Sequence, residues 1–365
     1  MKFICDGLVL SEAVQKVSKA CATKTTAPIM ECVKIKAGND EVVFTATDGE
    51  ISIRKTIKAE VFNEGEVCVP GKLFSDFVSK LSSSEIVIST SEKGMSIGYG
   101  ESGSMIQVMN AEDFPKINFE IGENSFVMNQ NALKKIIAET TFCCAQDDSR
   151  PVLKGCLMEF GEALEITALD GYRLALSKAE ILAKSGAQGI ICPARTLIEI
   201  SRMMTGEEEE ITLYTQGGML LVQNDDMILV SRLYQGDFIR KENVLPNSFT
   251  TEVTVKKADL CESAERAAIL IRGDKNNLVT LDIKNSSICL SSVSDYGNVS
   301  ETVMANIEGK ELTISMNAKY LLDALKALEE EEVVISFNGA VSPFILQNKE
   351  KKESLYLILP VRNAA

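Results

Sequence analysis

The sequence predicts an α+β fold of three similar domains built on mainly antiparallel sheet. Three observations carry that expectation. The chain of 365 residues repeats itself at about a third of its length, each repeat holds two amphipathic helices, and alternating or β-branched runs lie between them. A chain this long holds two or three domains at roughly 100 to 200 residues each, and each is large enough for its own core.

Each repeat opens with a short strand and a helix. Phe3–Cys5 leads into a helix over Leu10–Lys19, Phe126–Met128 into one over Asn131–Glu139, and Val253–Val255 into one over Ala258–Ile269. Strand-like runs follow at Val42–Ala46, Leu164–Ala168 and Ile288–Ser292. The first two end in Asp48-Gly49 and Asp170-Gly171, a hairpin signal, and Asp295-Tyr296-Gly297 takes that place in the third. From Asp48 to Asp170 to Asp295 the spacings are 122 and 125.

A second helix closes each repeat, over 69–81, 192–204 and 316–328. Each segment has Pro or Asn at its opening and apolar residues at helical spacing; Pro70, Pro193 and Asn317 are 123 and 124 apart. Two helices per repeat cover one face of a sheet, so the three sheets are expected to join edge to edge. The expected domains are 1–122, 123–248 and 249–365.

Composition narrows the chemistry. Hydrophobic residues are 45% and charged residues 25%, as in a folded protein rather than a disordered one. Histidine is absent, which removes Ser-His-Asp and Cys-His catalysis and His-bearing metal sites. Ten cysteines sit mostly inside apolar runs with no C-x-x-C pair, so they read as small buried hydrophobes. The start Met1–Asp6 reaches an acid too soon for a secretory h-region, and no apolar run approaches membrane-spanning length. The expectation is a reduced, cytoplasmic protein.

Charge is uneven. Basic residues number 38 against 52 acidic, a net −14, which argues against coating nucleic acid or membrane with the whole surface. Yet the second helices place Lys72 and Lys80, Arg195 and Arg202, and Lys319 and Lys326 at matching positions seven or eight apart, on one helix side. The first helices and their flanks add Lys16, Lys19, Lys24, Lys134, Lys135, Lys256, Lys257 and Arg266, while acids gather at Glu207–Glu210 and Glu329–Glu332. One reading is a solvated face with snorkelling lysines. The other is a basic helix-lined surface that attracts phosphates without reading bases.

No motif builds a reaction centre. Gly98–Gly103 matches G-x-G-x-x-G, but a strand-like run follows it instead of a helix, so it reads as a hairpin. Asp48, Asp170 and Asp295 fall in turns of different repeats, against the converging pair that an acidic hydrolase needs. A repeat scaffold that binds peptides is a further alternative.

Several segments carry a resemblance across the whole chain: Met1-Lys2-Phe3, Ala46-Thr47-Asp48-Gly49, Ala111–Pro115, Leu169–Ala175, Arg266–Leu270 and Tyr356–Arg362. With the triple repeat, they resemble the β subunits of bacterial DNA polymerase III, the sliding-clamp family. That resemblance implies the DNA clamp fold, with antiparallel sheets outside, helices lining a ring, and two subunits per ring as a head-to-tail homodimer. It implies a processivity factor with no catalytic site, no cofactor and no metal. Its implied partners are double-stranded DNA, held topologically and without sequence specificity, the polymerase III alpha-type subunit, the clamp loader and clamp-motif repair proteins. No membrane partner is implied, and the location is cytoplasmic, at the nucleoid during replication. The basic residues named above are the implied DNA-facing set.

The resemblance also implies a hydrophobic peptide cleft between the second and third domains. Carried over by motif, it contains Leu153, Leu169, Gly171, Tyr172, Arg173, Leu174, Val244, Asn317, Tyr320, Val341, Pro343, Leu357, Leu359, Pro360, Val361 and Arg362. Taken by itself, Leu357–Val361 reads as an edge or core strand. Phe238–Pro246 departs from the family's usual Phe-Pro-Asp-Tyr, and the tail continues as Asn363-Ala364-Ala365 beside the cleft. At the implied dimer interface Ile106 and Val108 face Ile269 and Leu270, with Ser104 where the family commonly has a large apolar residue.

Overall fold

A computed structural model describes residues 1–81, 84–204, 209–224, 226–271 and 277–362. Glu207 and Glu208 of the expected acidic loop, and the tail Asn363–Ala365, lie outside the described residues. Six α-helices are described: α1 (Gly7–Val17), α2 (Gly71–Val78), α3 (Gln130–Thr140), α4 (Ala194–Met203), α5 (Lys257–Leu270) and α6 (Ala318–Ala327). They are the six expected helices. α1 starts three residues earlier than its periodicity suggests because the Asp6 carboxylate accepts from the backbone N–H groups of Leu8 and Val9, at 2.9 and 3.0 Å. Past Val17 the chain tightens into a 3-10 turn, Ser18–Ala20.

The residues cluster into two compact units. The first comprises 1–131, 182–186 and 199–233; the second comprises 132–181, 187–198 and 234–365. Strand pairing is antiparallel throughout the described residues. The first unit holds a five-stranded sheet ending at Ser102–Ile106 and a nine-stranded sheet; the second holds a twelve-stranded sheet.

Both large sheets are made by joining repeats edge to edge, as two helices per repeat require. In the first unit, Ile51–Lys58 pairs with Met227–Arg232, so Ile51 faces Ser231 and Lys55 faces Met227. In the second, Arg173–Glu180 pairs with Ser354–Ile358, so Arg173 faces Ile358 and Ser177 faces Ser354. The Asp-Gly turns set this register. Asp48 accepts from the N–H groups of Glu50 and Ile51, and Asp170 from those of Tyr172 and Arg173. Gly49 and Gly171 follow at φ 91° and 94°, a region costly for any residue with a Cβ.

Each helix buries its apolar stripe on sheet; in α1 this stripe is Leu10, Ala13, Val14 and Val17. Eight of the ten cysteines are buried, while Cys261 and Cys289 are half-exposed, so the reading of the thiols as core residues is corrected at those two. Gly98–Gly103 joins strands Gly94–Tyr99 and Ser102–Ile106, as expected of a hairpin. No described helix is long and apolar enough to cross a membrane.

Candidate functional site

The second unit's sheet joint carries an apolar cluster with a buried core and partly exposed side chains packed against it. Leu153, Leu169, Leu174 and Leu357 are buried in it with Ala145, Leu176 and Ile345. Val152, Phe238, Ile239, Val244, Leu245, Phe249, Leu355 and Leu359 pack against that core while staying partly exposed. The joint itself brings these residues together: Leu174 lies opposite Leu357, and the Leu359 N–H donates to the Tyr172 carbonyl at 2.9 Å. The chain then continues until the Val361 N–H donates to the Ser315 carbonyl at 2.8 Å.

The Phe238–Pro246 segment forms one wall. Lys241 anchors it, with its ammonium on the Glu165 carboxylate and 3.8 Å from Glu159. The Val244 and Leu245 N–H groups donate to the Lys241 carbonyl at 3.0 and 2.9 Å, which turns both side chains toward the cluster. Six of the sixteen cleft residues expected from sequence, Leu153, Leu169, Leu174, Val244, Leu357 and Leu359, therefore meet in one apolar surface.

The remaining ten are not part of that apolar cluster. Arg173, 8% exposed, ties the joint together: its Nε donates to Asp170 Oδ2 at 3.0 Å, one terminal nitrogen to Asp323 Oδ2 at 2.6 Å, and the other to the Phe142 carbonyl at 2.7 Å. Its guanidinium also lies 4.5 Å from the centre of the Tyr320 ring, and burial pushes the Tyr320 phenol up. Asn317 caps α6, accepting from the Lys319 N–H at 2.9 Å. Gly171 and Arg362 are exposed, as are Tyr172 at 63% and Val341 at 64%, while Pro343, Pro360 and Val361 are half-buried. Exposed aromatic and aliphatic side chains beside a partly exposed apolar cluster suit a peptide with hydrophobic anchors.

Sequence reasoning left Ala145, Val152, Leu176, Leu245, Phe249, Leu355 and Ile345 outside the cleft. Leu176 is two residues past Leu174 and Leu355 two before Leu357 on the same strands, and period-two alternation is the signal that would have added them, whereas Ile345 stands opposite Leu357 on the neighbouring strand. Phe238 and Ile239 drew attention only as a departure in the sequence.

The basic set divides in two. Lys24, Lys72, Lys80, Lys134 and Lys256 are exposed. Others are tied to acids: Lys16 to Glu12 at 2.7 Å, Lys135 to Glu329 at 2.7 Å, Arg202 to Glu199 at 2.5 Å, Arg266 to Glu301 at 2.5 Å, Lys319 to Asp323 at 2.6 Å and Lys326 to Glu265 at 2.6 Å. Lys257 donates to the Leu328 carbonyl at 2.7 Å. Within the first unit a small groove gathers Lys16, Lys19 and Arg202 around one opening, so α1 and the end of α4 present cations together. Lys19 and Arg195 are exposed.

At the expected interface, Ile106 is buried at 6% exposure and Val108 is half-buried, while Met105 between Ser104 and Ile106 is 51% exposed. Ile269 is 64% exposed at the end of α5, and Leu270 is half-buried. The strand Ser102–Ile106 is a sheet edge.

Comparison with known proteins agrees with this architecture over the whole chain. Residues 1–118, 127–239 and 242–362 match the N-terminal, central and C-terminal domains of the DNA polymerase III beta subunit, respectively. The beta sliding clamp of Staphylococcus epidermidis is 33% identical over 357 residues, covering 94% of each chain, and that of Staphylococcus aureus is 32% identical with the same coverage. The crystal structure of the DNA polymerase sliding clamp from Bacillus subtilis superimposes with a TM-score of 0.95 at 31% identity, covering 100% of this chain and 99% of that one. With three successive domain matches and relatives aligned along nearly their full length, the chain belongs to the family of DNA polymerase III beta subunits.

Proposed function

We propose that this chain is a DNA sliding clamp: a homodimeric ring that encircles duplex DNA and tethers a replicative polymerase, conferring processivity. The observation that carries the tethering half is the apolar cluster at the second joint, left partly exposed at Leu359, Val244 and Phe238. A surface of that kind binds short peptides through hydrophobic anchors. The partners proposed for it are the alpha-type polymerase subunit, the clamp loader and clamp-motif repair proteins. The sixteen cleft residues act as apolar wall and polar frame, with Arg173 and Asn317 positioning elements.

The DNA-facing set is proposed to line the hole. Exposed cations at Lys24, Lys72, Lys80, Lys134 and Lys256, in a chain of net charge −14, support a local basic face on an otherwise acidic molecule. Such contacts hold phosphates without reading bases, so the ring slides while its closure retains it. Three domains, 1–122, 123–248 and 249–365, are proposed on the repeat spacing and the two sheet joints. The ring closes where the edge strand around Ile106 and Val108 meets Ile269 and Leu270 of a second subunit. Exposed Ile269 and Met105 support an apolar contact there. No catalytic step is assigned, and the proposed location is the cytoplasm, at the nucleoid during replication.

The test loads the protein onto nicked circular DNA with its clamp loader and follows it by gel filtration. Retention on the circle and release on linearisation are expected; equal retention on linear DNA would overturn the topological mechanism. The double substitution Ile269→Asp with Leu270→Asp is expected to yield monomer in sedimentation velocity, and an unchanged dimer would reject the interface.

A further inference from the structure

The first unit's joint carries a groove at the position where the second unit's joint carries its apolar cleft. The correspondence is in the backbone: the same Asp-Gly turn precedes each joint, and Ile51–Ser231 and Arg173–Ile358 are the matching cross-joint pairs. The Arg232 N–H donates to the Glu50 carbonyl at 3.0 Å, as the Leu359 N–H does to Tyr172 at 2.9 Å. The groove encloses about 430 Å³, within the range of ligand-binding clefts.

Its side chains are of another kind. Thr47 stands where the cleft has Leu169, Glu50 where it has Tyr172, Ser52 where it has Leu174, and Arg232 where it has Leu359. Leu221 and Val230 leave an apolar floor at 4% and 3% exposure. Around that floor stand two exposed cations, Lys116 and Arg232, and two exposed carboxylates, Glu50 and Glu120. None of these four has an ion-pair partner among the described residues, whereas Lys135, Arg266, Lys319 and Lys326 are all paired. Four charges of both signs without an ion pair, of which Glu120 accepts from the Asn118 amide at 3.1 Å, rim a small apolar floor and are complementary to a ligand that carries both signs around an apolar centre.

We propose that this groove is a second docking site, for an extended peptide in which a central apolar side chain is flanked by an acidic and a basic residue. The acid meets Lys116 and Arg232, the base meets Glu50 and Glu120, and the apolar side chain rests on Leu221 and Val230. That the occupant is a peptide rests on the cleft reading above; its charge pattern rests on the groove alone.

The test is fluorescence anisotropy on the full-length protein with end-blocked octapeptides. Two have a central leucine pair, serine spacers, and an aspartate and an arginine at opposite ends in either order; a third replaces both charged residues with serine. At least one charged octapeptide is expected to bind, and Lys116→Glu with Arg232→Glu is expected to weaken it at least about tenfold. Leu359→Ala is expected to leave the charge-dependent part of that binding, the part lost in Lys116→Glu with Arg232→Glu, unchanged and to weaken the uncharged octapeptide. No binding of either charged peptide at millimolar concentration would overturn the proposal, as would equal binding by the charge-reversed variant with an unchanged circular-dichroism spectrum. Failure of the uncharged peptide to respond to Leu359→Ala overturns the cleft reading instead, so the two failures are separable.

Discussion

The two sheet joints share a backbone and differ in nearly everything attached to it. At the register position occupied by Lys55 in the first joint and Ser177 in the second, each joint buries polar groups. Lys55, 6% exposed, reaches Asp226 at 2.7 Å, and Asp226 is itself half in solvent. Ser177 instead donates to Glu139 Oε2 at 2.5 Å, and Ser354, its cross-joint partner, to the same oxygen at 2.7 Å. Four residues earlier, Ile51 in the first joint is matched by Arg173 in the second, with its two carboxylates and its carbonyl. The turn and the inter-strand bonds hold the geometry, so side chains are free to diverge: function is placed on a repeated frame rather than made by it.

The comparison breaks most severely at Arg173. Arg173→Ala is expected to cost about 3–5 kcal/mol, because Asp170 loses its cation at low exposure and Asp323 is left with Lys319 alone. Lys55→Met keeps volume and gives up one pair with a half-exposed partner, so its cost is expected within about 1 kcal/mol. Hydrogen exchange of Arg173–Glu180 and of Ile51–Lys58 measures each joint locally, which suits a chain of two units better than a single global midpoint. Equal protection losses would mean that the clamp at the second joint is not structural.

Glu139 comes next. Glu139→Ala removes the shared acceptor of the buried Ser177 and Ser354 hydroxyls and leaves them, 3.2 Å apart, only each other, so one donor goes unsatisfied and roughly 1–3 kcal/mol is expected to be lost. Glu139→Gln keeps an acceptor oxygen and is expected to recover most of that loss in the same exchange experiment.

The frame was legible in the sequence because its requirements are local. An Asp carboxylate that accepts two backbone N–H groups, then a glycine at φ 91° or 94°, leaves its mark in two adjacent letters. Helix caps and apolar periodicity do the same. What could not be read depends on residues far apart in the chain: Arg173 meets Asp323 across 150 positions, and Glu139 meets Ser354 across 215. Glu139 stands in sequence only as the last residue of an expected helix, yet the joint buries it at 6% exposure. The same holds for charge, since Glu12–Lys16 is visible as a spacing of four while Lys135–Glu329 spans 194 positions.

The thiols sharpen the comparison further. In the first unit burial pushes the Cys5, Cys21 and Cys68 thiols up to about 12, and Cys68 sits with Cys32, Ala111 and Phe114 in a small core beside that unit's groove. The unfolded chain ionises a thiol near its ordinary value, about 8.5, while the folded chain keeps it protonated. Above that value the unfolded state binds fewer protons, so stability falls as pH rises, and the loss levels off near pH 12 for these three groups. Each thiol contributes up to about 1.4 kcal/mol per pH unit in that window. Cys68→Ala is therefore expected to lessen the alkaline slope of the first unit by up to one thiol's share, read by hydrogen exchange at several pH values. An unchanged slope would mean that the thiol gains water before the unit unfolds.

The smallest effect concerns the cations. In the second unit Lys135, Lys319 and Lys326 already lean on Glu329, Asp323 and Glu265, whereas in the first unit Lys24, Lys72 and Lys80 have no ion pair among the described residues. A paired cation is partly neutralised before any phosphate arrives, so it releases fewer counterions on binding. Removing Lys24, Lys72 and Lys80 together is expected to lower the salt slope of DNA binding by up to about 0.9 for each, and removing the three paired lysines by less. Lys135→Ala alone is expected to change stability by no more than about 1 kcal/mol, as for other half-exposed pairs. Slopes measured on topologically closed DNA decide the matter: equal losses from the two sets would show that DNA pulls the second unit's lysines off their acids, and the paired cations would then count fully toward the sliding surface.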